Sequence, residues 1–187
     1  MVDLPERRVS PRPLFRVVEL EGDAREQAVP VLIDSFVGIY RWHAKRTLRR
    51  VSTVRGAMDG GTLIGVSMLE DLVPGVGYVY YIAVGQAHRK RGVARFLLDD
   101  ALDGFRAKHA EIVYAAAEED NIPSRALFGS RGFRIVERDE LGFREGGLGA
   151  WGLRSKMMLV AGEILLGVRI NPPGTSIAMV PNANEGM

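Results

Sequence analysis

The spacing of apolar positions along the chain changes between a period of two and a period near 3.6, which predicts a mixed α/β domain. Residues 14–20 alternate weakly and predict a first strand. From about residue 24 to residue 50 the apolar positions recur at spacings of three and four residues, which predicts a helix with a break or a late start at Pro30. Three more strands, joined by turns typical of an antiparallel meander, are predicted at Val51–Met58, Thr62–Leu69 and Gly77–Val84.

The second half of the chain continues with alternating helices and strands. A helix with a regular apolar stripe is predicted from about Gly92 to His109. The apolar stretch Glu111–Glu118 follows this crossover helix, so we expect a strand parallel to Gly77–Val84. A short helix from about residue 121 to residue 131 precedes the last predicted strands of the main domain, Phe133–Glu137 and Lys156–Val160. The fold class is therefore a mixed central sheet with one parallel strand pair and flanking helices.

The predicted domain occupies residues 14–160 and has a segment on either side. Residues 1–13 contain three prolines without periodicity and are predicted to be a flexible arm. In the extension 161–187, the strand-like runs 163–170 and 175–180 flank a turn-like Asn-Pro-Pro-Gly. This segment is interpreted either as an added hairpin, with a homodimer edge as one role, or as a tail.

Composition narrows the classes of function. The 187 residues include 25 Lys and Arg and 23 Asp and Glu, a formal charge of +2, so whole-chain binding to nucleic acid is not expected. The basic run 41–50 contains one large aromatic residue, Trp42, and is interpreted as a solvated helix face rather than a nucleic-acid surface. The three histidines have no metal-ligand spacing, and we expect no metal.

Two further features bear on location. The chain contains no cysteine, which removes disulfides and thiolate chemistry and is typical of a reducing compartment. The first residues carry charges and prolines instead of the apolar stretch of a signal peptide. No run approaches the roughly 18 apolar residues of a membrane span. We therefore expect a cytoplasmic protein without a membrane partner.

The most informative stretch joins the strand ending at Val84 to the helix opening at Gly92. Small residues at a helix start let a phosphate approach free backbone N–H groups, and the helix dipole favours an anion there. Four cations surround this point: Arg89, Lys90, Arg91 and Arg95. The pattern predicts a pyrophosphate site, and a basic loop without a ligand is the alternative.

Arg89–Ala94 resembles the Arg/Gln-x-x-Gly-x-Gly/Ala signature of the GNAT superfamily of acyl-CoA-dependent N-acyltransferases. Asn121–Phe128, closing with Gly132 and Phe133, is similar to the second motif of that family. The resemblance covers about residues 14–160. It implies an N-acetyltransferase that moves an acetyl group from acetyl-CoA to a primary amine of a small molecule or peptide, by direct attack in a ternary complex. A catalytically weak acyl-CoA-binding module is the alternative.

The resemblance also implies roles for individual residues. The backbone of Ile82, Ala83 and Val84 is expected to pair with the pantetheine arm in a slot between splayed strands, and an amide near Val84 to polarise the thioester carbonyl. Asn121 is expected either to contact the arm or to cap a helix. The residues assigned to coenzyme binding are Ile82, Ala83, Val84, Arg89, Lys90, Arg91, Gly92, Val93, Ala94, Arg95, Asn121 and Phe128.

Catalytic residues are harder to assign because the sequence departs from the family at two positions. Phe128 stands where many members carry a tyrosine acid, and Ala116 stands where some carry a glutamate base. The candidate proton acceptors are Glu118, Glu119 and Tyr80, with Glu70 a further one. Strand alternation puts neighbouring glutamates on opposite faces, so at most one of Glu118 and Glu119 points into the slot. A solvated turn is the alternative for this acidic cluster, and the acceptor amine stays open.

Overall fold

The computed structural model describes residues 15–137, 152, 155–157, 159 and 162–170. The strands in these ranges are β1 Phe15–Glu19, β2 Thr53–Asp59, β3 Thr62–Val73, β4 Val76–Val84, β5 Ile112–Glu118, β6 Arg134–Ile135 and β7 Glu163–Arg169. The α-helices are α1 Val29–Ser35, α2 Gly38–Leu48, α3 Val93–Ala107 and α4 Ile122–Gly129, and short 3-10 helices span Gly22–Ala28 and Gln86–His88. No helix in the described ranges is long and apolar enough to cross a bilayer.

All seven strands form one sheet in the order β1-β2-β3-β4-β5-β7-β6. Neighbouring strands are antiparallel except at the centre, where β4 and β5 run parallel. The fold class and the parallel pair predicted from the sequence are confirmed. The parallel arrangement follows from α3, which crosses over between the two strands and packs on β3 and β4.

The helices cover both faces of the sheet. On one face, α1 and α2 bury Leu32, Ala44 and Leu48 against β2, β3 and β4. On the other face, α3 and α4 bury Leu98, Phe105 and Phe128 against β4, β5 and β7. A close approach of α3 is possible because Gly77 of β4 has no side chain: a Cβ there would lie 2.5 Å from the Phe105 ring.

The helical pattern predicted over residues 24–50 forms three pieces. A 3-10 helix runs into α1, where Pro30 is the second residue and its missing N–H costs nothing. The break comes after α1, because Phe36 and Val37 adopt extended backbone before α2 begins. Arg41 of α2 then donates to the carbonyl oxygens of Phe36 (2.8 Å) and Ile33 (3.1 Å), which fixes the turn between the helices.

One predicted strand is wrong. The prediction placed a strand at Lys156–Val160, but residues 155–157 are helical. The strand that completes the sheet is β7, which lies between β5 and β6 although the sequence prediction put 161–187 in an extension. The sequence contains two apolar runs close together, 156–160 and 163–170. The second run forms the strand because it pairs with β5, and its Leu165 and Leu166 are buried on opposite faces of the sheet. The segments 1–13 and 175–180 lie outside the described residues.

A β-bulge interrupts β4 at Tyr80. Leu69 of β3 pairs with Val79 and Met68 pairs with Tyr81, so Tyr80 is an extra residue without a position in the ladder. Such a bulge increases the local twist and reverses the side-chain alternation. Tyr80 and Tyr81 consequently lie on the same face of the sheet, toward α1 and α2.

Candidate active site

The central parallel pair opens into a slot. Pairing between β4 and β5 runs from Val76–Ile112 to Val79–Ala115 and ends immediately before the bulge at Tyr80. Beyond this point β4 continues to Val84 and β5 to Glu118 without pairing to each other. The sheet therefore separates between its two central strands, as the sequence analysis expected.

Hydrogen-bonding groups of β4 face this slot. The Gly85 N–H donates to the Ile64 carbonyl oxygen at 3.0 Å, which fixes the register of the antiparallel ladder with β3. Because ladder groups alternate in direction, the backbone groups of Val84 and Ile82 point away from β3, toward the side on which β5 lies. The Val84 carbonyl oxygen accepts from Ser35 Oγ and from Arg89 Nε, each at 3.2 Å.

The slot leads to the amino terminus of α3. Gly92 is the N-cap residue with φ +84°, and a Cβ built on it would meet nothing within 4 Å. No side chain caps the helix there. The first amides of α3, from Val93 onward, have no partner within the helix and combine with its positive dipole end. An open helix start of this kind is compatible with a pyrophosphate, and the phosphate site inferred from the sequence stays a prediction.

The predicted cations of this loop have different surroundings. Arg91 binds Asp59 at 2.8 Å, contacts His88 Nδ1 at 3.0 Å and lies over the Phe15 ring. Arg89 is held by the Val84 carbonyl, whereas Lys90 and Arg95 are exposed. Of the four, Lys90 has a positive φ of 60°, which an L-residue rarely adopts and which shapes the turn before Gly92.

The two residues taken from the second motif have local structural roles. Asn121 is the N-cap of α4, and its Oδ1 accepts from the Ser124 N–H at 3.1 Å. This is one of the two roles that the sequence left open. Phe128 is 6% exposed and packs edge-to-face on Phe133, with ring centroids 5.0 Å apart. It belongs to the core beneath α3 and has no proton to donate.

On the opposite face of the sheet, aromatic side chains gather beside the slot. Tyr78, Tyr80 and Tyr81 line a small cavity of about 20 Å³. Its other lining residues come from α2, β5, β7 and the helical residues 155–157: His43, Thr47, Ala116, Met157 and Glu163. This cavity lies where β4 and β5 separate, on the face that α1 and α2 cover.

Carboxylates stand at the end of β5 near this cavity. Glu118 is directly opposite Glu163 of β7 in the antiparallel pair. Burial and a hydrogen bond to Glu118 raise the pKa of Tyr40, so this phenol stays protonated and donates. Glu119 is exposed, and its backbone N–H donates to the Gly162 carbonyl. Both Glu118 and Glu119 border an open cavity of about 490 Å³ with Asp120 and Gly162.

The tyrosines of β4 are neutral at ordinary pH. Tyr80 donates its hydroxyl to the Lys156 carbonyl oxygen, and burial together with Glu70 raises its pKa to about 12. Burial and the charge of Glu163 raise the pKa of Tyr81 to about 12 as well. The Glu70 carboxylate accepts from the Ser52 N–H at 2.8 Å. These phenols are hydrogen-bond donors, and a carboxylate is the better proton acceptor of the site.

Sequence reasoning missed Tyr40, His43, Tyr81 and Glu163. The alternation in Glu163–Arg169 carried a strand signal, but its position beside β5 depends on pairing between segments about fifty residues apart. Tyr81 was missed because simple alternation along β4 predicts its side chain on the α3 face, and only the bulge at Tyr80 moves it to the other face. His43 lies in the basic run 41–50, whose charges suggested a solvated helix face, and Tyr40 directly precedes that run.

Comparisons with known proteins agree with this geometry. Residues 17–133 match the acetyltransferase (GNAT) family. The N-alpha-acetyltransferase RimI of Mycobacterium tuberculosis is 35% identical over 102 residues, which cover 53% of this chain and 63% of RimI. Mycothiol acetyltransferase of Corynebacterium diphtheriae is 35% identical over 68 residues, 36% of this chain and 22% of that enzyme. The chain thus matches less than two thirds of the length of either relative.

Solved structures share the fold at low identity. The ribosomal-protein-S18-alanine N-acetyltransferase of Escherichia coli superposes with a TM-score of 0.63 and 15% identity, covering 87% of this chain and 97% of that one. A Bacillus subtilis acetyltransferase in complex with CoA gives a TM-score of 0.62 and 19% identity, with coverages of 83% and 99%. Because the family match extends over more than half of the residues, the chain belongs to the GNAT family of acetyltransferases.

Proposed function

We propose that this protein is an N-acetyltransferase that moves the acetyl group of acetyl-CoA to a primary amine by direct attack in a ternary complex. The observation that carries the proposal is the slot between β4 and β5, which leads directly to the open amino terminus of α3. One strand end thereby offers peptide groups for an extended arm and amides for a diphosphate.

The chain supplies a binding surface for acetyl-CoA along this line. The outward backbone groups of Ile82 and the Val84 N–H lie in the slot, in reach of an amide-containing arm. The amides that follow Gly92, with Lys90 and Arg95 nearby, suit the pyrophosphate. When bound, acetyl-CoA supplies an activated thioester carbonyl, which the Val84 N–H would polarise as a single donor.

The acceptor amine binds on the face covered by α1 and α2. Glu118 and Glu163 lie side by side there and attract a cationic amine to the end of the slot. A protonated amine cannot attack, so a carboxylate takes its proton through water. The protonated hydroxyl of Tyr40 holds Glu118 in place. Glu119 remains a second candidate, because it borders the same open cavity as Glu118.

A catalytically weak acyl-CoA-binding module is the second candidate, and one observation favours it. Phe128 occupies the position of the usual tyrosine acid and is buried in the core. Its ring has no proton to give to a leaving thiolate. Such a module would bind the coenzyme and release no thiol in the presence of amines.

Calorimetric titration with acetyl-CoA tests the coenzyme site. Gly92→Glu puts a negative charge in front of the α3 amides, so we expect at least a tenfold loss of affinity. Gly22→Glu is the matched control, because Gly22 also has a positive φ, +49°, and nothing within 4 Å of its Cβ position. Equal affinity of wild type and Gly92→Glu would refute the site.

Thiol release on a panel of primary amines tests the reaction. We expect amine-dependent release with the wild type and none without an acceptor. Coenzyme binding without release on any amine would favour the binding module instead.

A further inference from the structure

A second, larger cavity adjoins the amine-binding end of the candidate site. It has a volume of about 440 Å³ and shares the side chains of Thr47 and Tyr80 with the 20 Å³ cavity beside Glu163. Its lining comes from the end of α2, the end of β3 and the helical residues 155–157. The two adjoining cavities lie on the face that α1 and α2 cover, and we call them together the groove.

The far end of this groove carries cations. Arg46, Arg50 and Lys156 line the larger cavity. In the described part of the chain, no carboxylate lies within 4.0 Å of either guanidinium; Arg46 lies over the exposed Trp42 ring at 5.6 Å. Lys156 Nζ donates to the Leu72 carbonyl oxygen at 2.9 Å.

The two carboxylates of the larger cavity are already engaged. Asp71 binds Lys108 at 2.8 Å, and Glu70 accepts from the Ser52 N–H at 2.8 Å. Glu70 and Arg50 both act electrostatically on Tyr80, in opposite directions, which places both charges near the junction of the cavities. With Asp71 neutralised by Lys108, positive charge is in excess at this end of the groove.

The cations of the basic run 41–50 therefore have different surroundings. Arg41 fixes the turn after α1, and Arg49 lies 3.7 Å from Glu26. Arg46 and Arg50, one helical turn apart, are directed to the groove. A pair of guanidinium groups is well suited to a carboxylate, which it binds with two parallel hydrogen bonds.

The spacing of the two charged ends limits the size of the acceptor. His43 lines the amine-binding cavity, and Arg46 and Arg50 of the cationic cavity follow it by three and seven positions along α2 and its following turn. At about 1.5 Å per residue these steps correspond to roughly 5 Å and 10 Å. A free α-amino acid carries its amine and carboxylate on one carbon and cannot reach both guanidinium groups from the amine-binding cavity. An extended peptide covers the longer distance in about three residues.

We propose that the acceptor is a peptide amino terminus with an acidic side chain at its second or third residue, which Arg46 and Arg50 bind. This inference rests on the proposed N-acetyltransferase function. The amino-terminal ammonium lies at Glu118 and Glu163, the peptide runs past Thr47 and Tyr80, and the carboxylate reaches the two guanidinium groups.

Thiol-release kinetics on matched hexapeptides test the proposal. The peptides begin with serine and differ only at the second and third residues, which are both glutamate, both glutamine or both lysine. We expect kcat/KM for the glutamate peptide to exceed that for the glutamine peptide at least tenfold, with the lysine peptide lowest. The preference should shrink as KCl is raised, because the cations are exposed.

Variants identify the residues responsible. In the double variant Arg46→Gln/Arg50→Gln, the glutamate-to-glutamine ratio should fall to within about twofold of unity, and Arg46→Lys/Arg50→Lys should retain part of it. Arg49→Gln is the matched control, since Arg49 pairs with Glu26 outside the groove lining, and it should keep the ratio. Even if a variant does not fold, the ratio of kcat/KM for the glutamate and glutamine peptides with the wild type tests the preference for an acidic peptide.

The outcomes separate this inference from the proposed function. A wild-type ratio near unity, or a ratio that survives in the double glutamine variant, overturns the acidic-peptide inference while acetyl transfer stands. The same holds if only small amines release thiol. If no amine of any kind releases thiol, the proposed function fails and this inference fails with it.

Discussion

Glu118 and Glu163 occupy directly opposed positions across the antiparallel pair of β5 and β7. Side chains so placed have Cβ atoms about 4.5–5.5 Å apart, and like charges there repel. The charge of Glu163 also contributes to the raised pKa values of Tyr78, Tyr81 and Tyr40. Two carboxylates at the end of a slot can attract a cation, and the ammonium of the proposed acceptor is such a cation.

Removing either carboxylate should slow acetyl transfer. We expect Glu118→Gln and Glu163→Gln to lower the single-turnover rate by ~10²-fold or more, the range for loss of a general base. Glu119→Gln should have a smaller effect, because successive side chains of an extended chain point to opposite faces of the sheet, so that Glu119 points away from Glu118. Rapid-mixing thiol release makes the measurement, with Glu111→Gln at the exposed residue before β5 as control. Wild-type rates in both Glu118→Gln and Glu163→Gln would mean that the proton acceptor lies elsewhere.

The pH profile should have a rising limb only. Below the pKa of the amine the acceptor is protonated, so the rate increases as pH rises. The pKa values of Tyr80 and Tyr81 are raised to about 12, which keeps both phenols neutral well beyond pH 10. Single-turnover rates from mildly acidic pH to about pH 10 test this. A decline near pH 10, where an ordinary phenol ionises, would indicate an unperturbed tyrosine acid.

Arg89 should contribute to coenzyme affinity in two ways. Its guanidinium holds the Val84 carbonyl and adds positive charge before Gly92. Arg89→Ala should weaken acetyl-CoA binding by ~1–3 kcal/mol, as expected when a charge-assisted contact is lost. Calorimetry gives the value, and Arg106→Ala at the far end of α3, where Arg106 pairs with Asp103, is the control. A change of the same size in both variants would point to a general electrostatic effect.

Stability should depend on the close approach of α3 to β4. Gly77→Ala places a Cβ 2.5 Å from the Phe105 ring, so we expect a loss of ~1–3 kcal/mol in the free energy of unfolding. Gly104→Ala, at the adjacent position of α3, has nothing within 4 Å and should instead stabilise by ~0.5–1 kcal/mol. Urea denaturation of the two variants makes the comparison. Equal free energies of unfolding would contradict the packing described here.

Truncation distinguishes the strand β7 from the chain that follows it. Ending the chain after Val160 removes β7, leaves β5 without its partner on one edge and should abolish cooperative unfolding. Ending it after Ile170 keeps the sheet intact and should preserve the melting temperature. Light scattering of the chain that ends at Ile170 tests the part of the predicted dimer edge in 161–187 that follows β7, because loss of a dimer would halve the mass. Thermal unfolding followed by circular dichroism tests the chain that ends at Val160.

Local patterns were enough for most of the fold. The apolar stripe of α3 and the alternation in β2, β3 and β4 each specify their element without reference to distant segments. The helix start at Gly92 was also predictable, since a small residue and neighbouring cations stand there in one continuous stretch; its role in binding phosphate stays a prediction.

The acceptor side depends on contacts between distant segments and was only partly predictable. Glu118 was a candidate, but its neighbour Glu163 enters the site through pairing of β7 with β5. The side of Tyr81 depends on a register shift that no periodicity reveals. The cationic groove likewise needs the fold, because α2 and β3 bring Arg50 and Glu70 together.

The bulge at Tyr80 makes the opening in the sheet depend on the insertion of a single residue. Without Tyr80, Val79 would be followed by Tyr81 in regular alternation, and β4 could stay in register with β5 along its full length. A one-residue deletion would thus close the opening without removing any side chain assigned to the coenzyme. Substitutions in β4 preserve this frame, whereas changes in its length do not, so the opening between β4 and β5 is encoded by residue count rather than by residue type.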